Sequence, residues 1–304
     1  MSTGYEALHT SAAQIDLSAR GKIRVTGEDR ARLLHAMSTN DIQNLPVDNG
    51  LYAFFLTAVG RVLADSYIYN LGEALFLDTE PETASKLADH LDKYIIADDA
   101  YLENETDQLA CTGIEGPKSL DAAAKLGIPV PDAPLAVLDY MDGFVARVAT
   151  TGPTGLRVFT RSKPDFDLPL ADSAAARLVR MENALPRYGD DISERYLVQE
   201  TQQIQAVHTN KGCYLGQEIV ERVRSRGQVH RFLMPLRIHS QTPPAPGTKL
   251  LAGGQPAGEI TSAAFSSALG EVVAFAYIFS EPAHAKQTLT LANTDPPVLA
   301  DLHP

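Results

Sequence analysis

The sequence predicts the same order of elements twice, and this repeat is the feature that most limits the possible folds. Hydrophobic periodicity predicts a strand, a helix, three strands and a second helix in each set. The first helices of the two sets begin at Glu28 and Pro117, 89 residues apart. The second helices begin at Pro81 and Ala171, 90 residues apart. The spacing therefore predicts a duplicated α+β unit, although residue identity between the two sets is negligible.

The predicted elements divide the chain into three parts. The first α+β half covers residues 1–105, with predicted elements at 22–26, 28–37, 51–58, 62–69, 74–79 and 81–93. The second half covers residues 106–230, with predicted elements at 108–113, 117–126, 135–139, 143–149, 155–160 and 171–184. Residues 186–210 show no period, which is typical of a functional loop or a packing arm. Residues 231–304 form a small all-β domain, with predicted strands at 232–238, 249–251, 259–262, 272–279 and 287–291.

The net charge and the number of cysteines make several classes of function less probable for this protein. The net charge of −12 disfavours direct binding to nucleic acid or to an anionic membrane. The two cysteines, Cys111 and Cys213, lie 102 positions apart, so the sequence indicates neither a disulfide framework nor a CxxC metal site. The longest apolar run is residues 272–279, and no leader pattern opens the sequence. These features predict a cytoplasmic protein.

A cysteine precedes a helix-like run in the second half. Cys213 stands between two glycines, and Lys211 lies two residues before it. The free N–H groups of a helix N-terminus and the charge of Lys211 would stabilise a thiolate, so Cys213 is a candidate reactive thiol. The alternative is that Cys213 is a small buried residue and that the glycines form a tight turn.

The helix after Cys213 is amphipathic and basic. Glu218 and Arg222 are spaced to pair at i,i+4 on its polar face. Residues 211–231 carry a net charge of +3 within an acidic chain. This charge indicates either a local anion site or an ordinary solvated face.

Two more charged residues are candidates for a binding site. Asp65 lies in the otherwise apolar strand 62–69, where it either is buried with a raised pKa or faces solvent. Arg180, on the predicted helix 171–184, is either an exposed residue or an anion clamp. Cys111 is expected to be a buried strand residue. The histidine spacing predicts no metal site.

One motif of the sequence resembles that of a known family. The motif is Lys211-Gly212-Cys213-Tyr214-Leu215-Gly216-Gln217-Glu218, with Arg222 beyond it. It resembles the signature of the YgfZ family of folate-binding proteins that support iron–sulfur cluster assembly or repair. That family is a branch of the glycine-cleavage T-protein (aminomethyltransferase) superfamily. Weaker likeness extends over residues 33–41, 52–65, 94–96, 180–191 and 258–276.

The resemblance implies a tetrahydrofolate cavity between the two α+β halves, with a C-terminal antiparallel β-barrel beside it. It implies that Asp65 is the acid facing the pterin and that Arg180 binds the folate. It also implies that further motif residues contribute to the cofactor site, namely Tyr214, Gln217, Glu218 and Arg222. Cys213 and Lys211 are the residues that it implies for thiol chemistry.

The resemblance leaves three functions open. The favoured one is a tetrahydrofolate-binding accessory protein that serves iron–sulfur client or assembly proteins and so supports tRNA modification indirectly. The second is a folate-dependent aminomethyltransferase or demethylase. It is disfavoured because residues 151–155 (Thr-Gly-Pro-Thr-Gly) lack the carboxylate of the Thr-Gly-Glu-x-Gly pattern. The third is a folate-binding module with an inert Cys213.

Overall fold

A computed structural model describes residues 2–227, 229–294 and 297–302. The α-helices of the described residues are α1 (Thr3–Thr10), α2 (Arg30–Met37), α3 (Ala84–Asp92), α4 (Ser119–Lys125), α5 (Ser173–Glu182), α6 (Gln217–Arg226) and α7 (Ser280–His284). Short 3₁₀ turns lie at Pro81–Thr83, Val198–Thr201 and Ile204–Ala206. None of the helices in these residues is long and apolar enough to cross a membrane.

The strands of the two α+β halves are β1 (Ala13–Asp16), β2 (Gly21–Thr26), β3 (Gly50–Leu56), β4 (Val62–Asn70), β5 (Leu75–Thr79), β6 (Tyr101–Asn104), β7 (Ala110–Glu115), β8 (Val137–Tyr140), β9 (Gly143–Ala146), β10 (Gly155–Thr160) and β11 (Leu170–Ala171). The strands that follow are β12 (Arg231–Ile238), β13 (Lys249–Ala252), β14 (Gln255–Ser266), β15 (Glu271–Phe279), β16 (Leu289–Leu291) and β17 (Leu299–Leu302).

The sheets of the two α+β halves share one five-strand arrangement, to which the second sheet adds β11 at its edge. The first sheet has the order β3-β4-β5-β2-β6, and the second has the order β8-β9-β10-β7-β1-β11. In each, a strand that precedes a helix pairs with the last of the three strands that follow it. This agreement confirms the α+β class and the duplicated unit predicted from the sequence.

The N-terminus differs from the predicted domain division. Strand β1 pairs with β7 and β11 of the second sheet, and α1 packs against α5. The first half predicted as residues 1–105 therefore excludes residues 3–16 in space. Strand β1 takes the position in the second sheet that β6 takes in the first. The sequence pattern did not reveal this exchange, because α1 and β1 lie outside both predicted sets.

The two sheets pack face to face, and this contact buries one side of β4. Ala64 and Ile68 point into the core under α2 and α3, whereas Tyr69 on the other face meets Phe144 and Phe159 of the second half. Side chains alternate along a strand, so Asp65 and Tyr67 share the face of Tyr69. Asp65, whose burial the sequence left open, thus lies between the two sheets.

An irregular arm, residues 183–216, connects α5 to α6. The Tyr188 hydroxyl donates a 2.7 Å hydrogen bond to the Leu63 carbonyl oxygen, and the Thr39 hydroxyl donates to the Ala206 carbonyl oxygen at 2.6 Å. Buried side chains of the arm also contact the barrel described below, among them Tyr196 and Val198. The arm therefore packs against both its neighbours, as expected for a packing arm.

The C-terminal strands form a closed antiparallel barrel in the order β12-β15-β14-β13-β16-β17. Its interior is filled by apolar side chains, including Leu236, Leu250 and Ile278. The predicted C-terminal antiparallel barrel is confirmed. The sequence missed β17, which closes the barrel against β12.

Candidate functional site

Asp65 lies at the contact between the two sheets. Its side chain is buried, and its Oδ2 accepts a 2.7 Å hydrogen bond from the hydroxyl of Tyr52 on the neighbouring strand β3. Burial, reinforced by the nearby negative charge of Glu80, raises the pKa of Asp65 to about 7. Asp65 can therefore exchange a proton near neutral pH, and the alternative that it faces solvent is wrong.

A buried network of charges surrounds Asp65. Arg20 Nε lies 2.5 Å from Asp78 Oδ1, and Arg20 Nη1 lies 2.5 Å from Glu80 Oε1. Asp78 also binds Arg157, and Arg187 Nε lies 2.9 Å from Glu80 Oε2. Burial alone would raise the pKa of Glu80, but Arg20 and Arg187 hold it below its usual value. Glu80 thus remains ionised and favours the neutral form of Asp65.

Arg157 adds unpaired donors to this face. It is fully buried on β10, and its guanidinium lies 4.6 Å from the ring centre of Tyr67. Within the described residues, its Nε and one terminal nitrogen, Nη2, have no hydrogen-bond partner. Buried donors without partners are rare and costly, so this is a polar site with unused binding capacity.

The sequence missed Arg157 and Asp78, although a signal for them was present. Each is a charged residue inside an otherwise apolar strand, the same pattern that drew attention to Asp65. Such a residue is buried at low cost when a partner of opposite charge meets it or when it takes up its neutral form. The three residues together therefore indicate a polar contact between the two halves.

Arg180 is buried on α5, and its contacts lie within the chain. Its Nη1 donates to Asp191 Oδ2 at 2.8 Å and to the Leu185 carbonyl oxygen at 2.5 Å, and its Nη2 donates to Asp190 Oδ2 at 3.0 Å. Two carboxylates already balance its single positive charge. Its charge is therefore balanced within the chain, although its Nε has no hydrogen-bond partner among the described residues, and folate binding by Arg180 stays a prediction.

Cys213 is exposed on the loop before α6. The helix starts at Gln217, with Gly216 as its N-cap, so the thiol lies three residues before the N-cap and outside the first turn. The stabilising effect of a helix N-terminus on an anion is confined to the first turn. The expectation that it stabilises the Cys213 thiolate is therefore wrong. The alternative of a buried Cys213 is also wrong.

Lys211 fixes the loop that carries Cys213. It is buried, and its Nζ donates to the carbonyl oxygens of His35, Ser38 and Asn40 at 2.6, 2.7 and 2.6 Å. These contacts use all three ammonium donors. Burial lowers the pKa of Lys211 to about 8. These contacts give Lys211 a structural role, attachment of the loop to the end of α2, and its predicted action on the Cys213 thiolate stays a prediction.

The remaining motif residues fall into two groups. Tyr214 is buried, its ring lies 5.1 Å from Lys211 Nζ, and its hydroxyl has no partner within the described chain. Gln217 accepts from the Tyr214 backbone N–H at 3.4 Å. Glu218 and Arg222 are exposed on α6, and among the described residues no ion pair joins them. The predicted cofactor contacts of these four residues stay predictions.

His35 is a neighbour of the Cys213 loop that the sequence did not single out. Its Nδ1 accepts a hydrogen bond from the Gln43 backbone N–H at 3.2 Å, so the neutral ring carries its proton on Nε2. Burial and the charge of Lys211 lower its pKa. Nε2 lies 3.9 Å from the position that a Cβ on Gly212 would take. The Nε2–H group of His35 is therefore a hydrogen-bond donor next to the loop that carries Cys213.

Comparisons with known proteins agree with this architecture. The chain matches the GCVT N-terminal domain over residues 2–158 and the glycine cleavage T-protein C-terminal barrel domain over residues 231–303. It is 25% identical to a putative chloroplastic transferase of Arabidopsis thaliana, with 98% of this chain and 74% of the relative covered. It is 29% identical to an aminomethyltransferase of Streptomyces coelicolor, with 92% and 81% covered.

A solved structure has the same fold. The glycine cleavage system aminomethyltransferase T from Bartonella henselae superposes with a TM-score of 0.87 at 18% identity, covering 99% of this chain and 87% of that one. The domain matches cover the first α+β half, the second sheet as far as β10, and the barrel. The chain belongs to the glycine-cleavage T-protein family.

Proposed function

We propose that this protein is a tetrahydrofolate-binding accessory protein for iron–sulfur cluster assembly or repair, with Cys213 as its working thiol. The observation that carries the proposal is the exposed Cys213 on a loop fixed by Lys211. Holding an exposed thiol through three buried hydrogen bonds orders a loop that would otherwise be free to move. Aminomethyl transfer to folate requires no thiol of this kind from the chain.

The polar residues between the two sheets support the folate part of this proposal. A pterin ring is planar and presents both donors and acceptors along its edge, and Asp65 and Arg157 offer a carboxyl group and unpaired N–H donors on the same buried face. Tetrahydrofolate, when bound, supplies ring nitrogens that carry one-carbon units. Asp65 would hold or release a proton at its carboxyl oxygens, since its pKa is about 7. Membership of the T-protein family supports this use of the site.

The thiol chemistry is limited by the number of cysteines. A cluster is held by four ligands, most of them cysteine thiolates. Cys111 is fully buried, and burial raises its pKa to about 12. Across the described residues, no group of three or more His, Cys, Asp or Glu side chains is placed to hold a metal ion. Cys213 would therefore act as one transient ligand, with the others supplied by an iron–sulfur client or assembly protein.

The first test separates the thiol from the folate site. Cells lacking this protein are complemented with wild type, Cys213→Ser or the control Arg224→Gln, an exposed substitution on α6. Only Cys213→Ser should lose the restored activity of iron–sulfur enzymes, including those that modify tRNA. The purified Cys213→Ser protein should bind tetrahydrofolate with unchanged affinity by calorimetry. Full complementation by Cys213→Ser would refute the accessory role.

Alkylation of the purified protein tests whether the thiol is available. Iodoacetamide should modify one cysteine, Cys213, in the folded protein and both cysteines after unfolding in urea. Peptide mass spectrometry identifies the site. An unmodified Cys213 in the folded protein would leave the folate-binding module without thiol chemistry.

A second candidate is a folate-dependent aminomethyltransferase or demethylase. It is favoured by the Asp65 pKa of about 7 and by relatives named aminomethyltransferase. In that case Asp65→Asn should abolish one-carbon transfer to tetrahydrofolate, whereas Cys213→Ser should leave it intact. The accessory function predicts the reverse dependence on Cys213.

A further inference from the structure

A cavity of about 490 Å³ lies between the arm and the outer face of the barrel. Tyr196 of the arm lines the cavity on one side. Tyr277, Glu259 and Lys249, on neighbouring barrel strands, line it on the other. Asp65, Arg180 and Cys213 are not among its lining residues. The cavity is therefore separate from the site described above, and its volume is typical of pockets for small organic molecules.

Aromatic rings form one wall of this cavity. The rings of Tyr196 and Tyr277 stack with their centres 3.5 Å apart and their planes 12° apart. The Arg231 guanidinium lies 4.9 Å from the centre of the first ring and 5.5 Å from that of the second. Arg231 in turn pairs with Glu200 at 2.9 Å, which fixes it in place. Leu251 and Phe279 add apolar surface. Because both tyrosines are buried, Leu251 and Phe279 provide most of the open apolar surface, and a planar apolar ring is the group that such a surface favours.

The charges at the mouth do not balance. Lys249 pairs with Glu259, and Arg195 lies 3.4 Å from the same carboxylate. Glu200 already neutralises Arg231. Lys249 and Arg195 therefore share the single carboxylate of Glu259, and one positive charge remains in excess. Both cations are largely exposed, with 65% of each side chain accessible. This local excess stands out in a chain of net charge −12.

We propose that the cavity is a second ligand site that binds a small aromatic anion with a single acidic group. Its ring lies along the wall formed by Tyr196, Leu251 and Phe279, and its acidic group lies between Arg195 and Lys249. The apolar wall selects the ring, and the unbalanced charge selects the anion over a neutral molecule of the same shape. The site requires neither folate nor Cys213 and is independent of the proposed function.

The test uses 8-anilinonaphthalene-1-sulfonate, a fluorescent aromatic monoanion, with the full-length protein. We expect saturable binding at one site, and about 3- to 10-fold weaker binding for Lys249→Gln and for Arg195→Gln. Leu251→Trp, which fills the cavity, should abolish binding. Arg224→Gln, on α6, and Asp65→Asn should bind like wild type. N-phenyl-1-naphthylamine, which lacks the sulfonate, should bind at least about 10-fold more weakly.

Thermal unfolding of every variant separates loss of the site from loss of the fold, since this dye also binds loosely packed states. Lys249→Gln and Arg195→Gln alter exposed side chains and should unfold at the wild-type temperature. The proposal is overturned if folded Lys249→Gln, Arg195→Gln and Leu251→Trp bind like wild type. Equal affinity for the neutral amine overturns it as well.

Discussion

The side-chain nitrogen of Lys211 lies 2.6 Å from the carbonyl oxygen of Asn40, which is 171 residues earlier in the chain. The carbonyl oxygens of His35 and Ser38 complete its hydrogen bonds. The ammonium closes off the C-terminal end of α2, where carbonyl groups lack partners within the helix. The same residue thus stabilises a helix end and positions the loop that carries Cys213.

Replacement of Lys211 should destabilise the protein even when the charge is kept. A planar guanidinium does not fit a site built for a compact ammonium with three carbonyl acceptors. Both Lys211→Arg and Lys211→Gln should therefore lower the free energy of unfolding in urea by about 2–4 kcal/mol. Lys86→Arg, at an exposed ion pair with Glu194, is the control and should stay within about 0.5 kcal/mol. Wild-type stability of Lys211→Arg would show that the three carbonyl oxygens do not require a compact ammonium.

Arg180 should contribute to stability rather than provide a free charge for folate. Asp191, its main partner, also accepts a 2.5 Å hydrogen bond from the Ser262 hydroxyl of the barrel. Arg180→Met would leave this buried carboxylate without its cation, at a cost of about 3–5 kcal/mol. Arg177→Met is a matched control on the same helix, because Arg177 pairs with Asp190 at the surface and should contribute less than about 1 kcal/mol.

Urea unfolding of the two variants measures the difference directly. Tetrahydrofolate calorimetry on folded Arg180→Met gives the second readout, and its affinity should match that of wild type. A stable Arg180→Met protein with weakened folate binding would show that the resemblance, and not the ion pairs, describes Arg180 correctly.

The sequence predicted local structure better than contacts between distant residues. Periodicity placed the strands β3, β4, β5 and β10 almost at their observed bounds, since alternation along a strand is a local property. It left the burial of Asp65 undecided, because the second sheet that covers Asp65 is not encoded in the strand itself. The partners of Lys211 are more than 170 residues away, and only the folded chain brings them together.

The motif around Cys213 illustrates the same limit. The sequence correctly indicated a turn followed by a helix, but it placed the thiol at the helix start. Gly216, with φ of +81°, ends the turn and becomes the N-cap, so the helix begins four residues after Cys213. The left-handed conformation of that single glycine separates the thiol from the helix dipole.

The stability of the protein should depend on pH through Asp65. Its pKa of about 7 in the folded state exceeds the usual 3.8, so the folded protein binds more protons than the unfolded chain between these values. Stability is therefore lost as the pH rises from about 4 to 7. Asp65→Asn does not titrate and can still accept the Tyr52 hydrogen bond. We therefore compare the free energy of unfolding of Asp65→Asn with that of wild type at each pH. The difference should shift in favour of the variant by about 2–4 kcal/mol from pH 4.5 to pH 8.

Urea unfolding at the two pH values gives this difference, and Asp16→Asn provides the control. Burial opposes ionisation of Asp16, but hydrogen bonds from Lys163 and Ser18 lower its pKa to about 2. The unfolded carboxyl, with the usual pKa of 3.8, is mostly ionised by pH 4.5, so the stability of Asp16→Asn relative to wild type should change by less than about 0.5 kcal/mol from pH 4.5 to pH 8. A constant difference for Asp65→Asn as well would mean that Asp65 is ionised throughout.

The two glycines beside Cys213 should respond differently to alanine. A Cβ on Gly216 would lie 2.7 Å from the Thr57 carbonyl oxygen, and the positive φ adds backbone strain. Gly216→Ala should therefore cost about 1–3 kcal/mol in urea unfolding. A Cβ on Gly212 meets no atom nearer than His35 Nε2, at 3.9 Å, so Gly212→Ala should stay within about 0.5 kcal/mol. Equal costs at the two positions would contradict this description of the loop, because only Gly216 has both the close contact and the strained backbone.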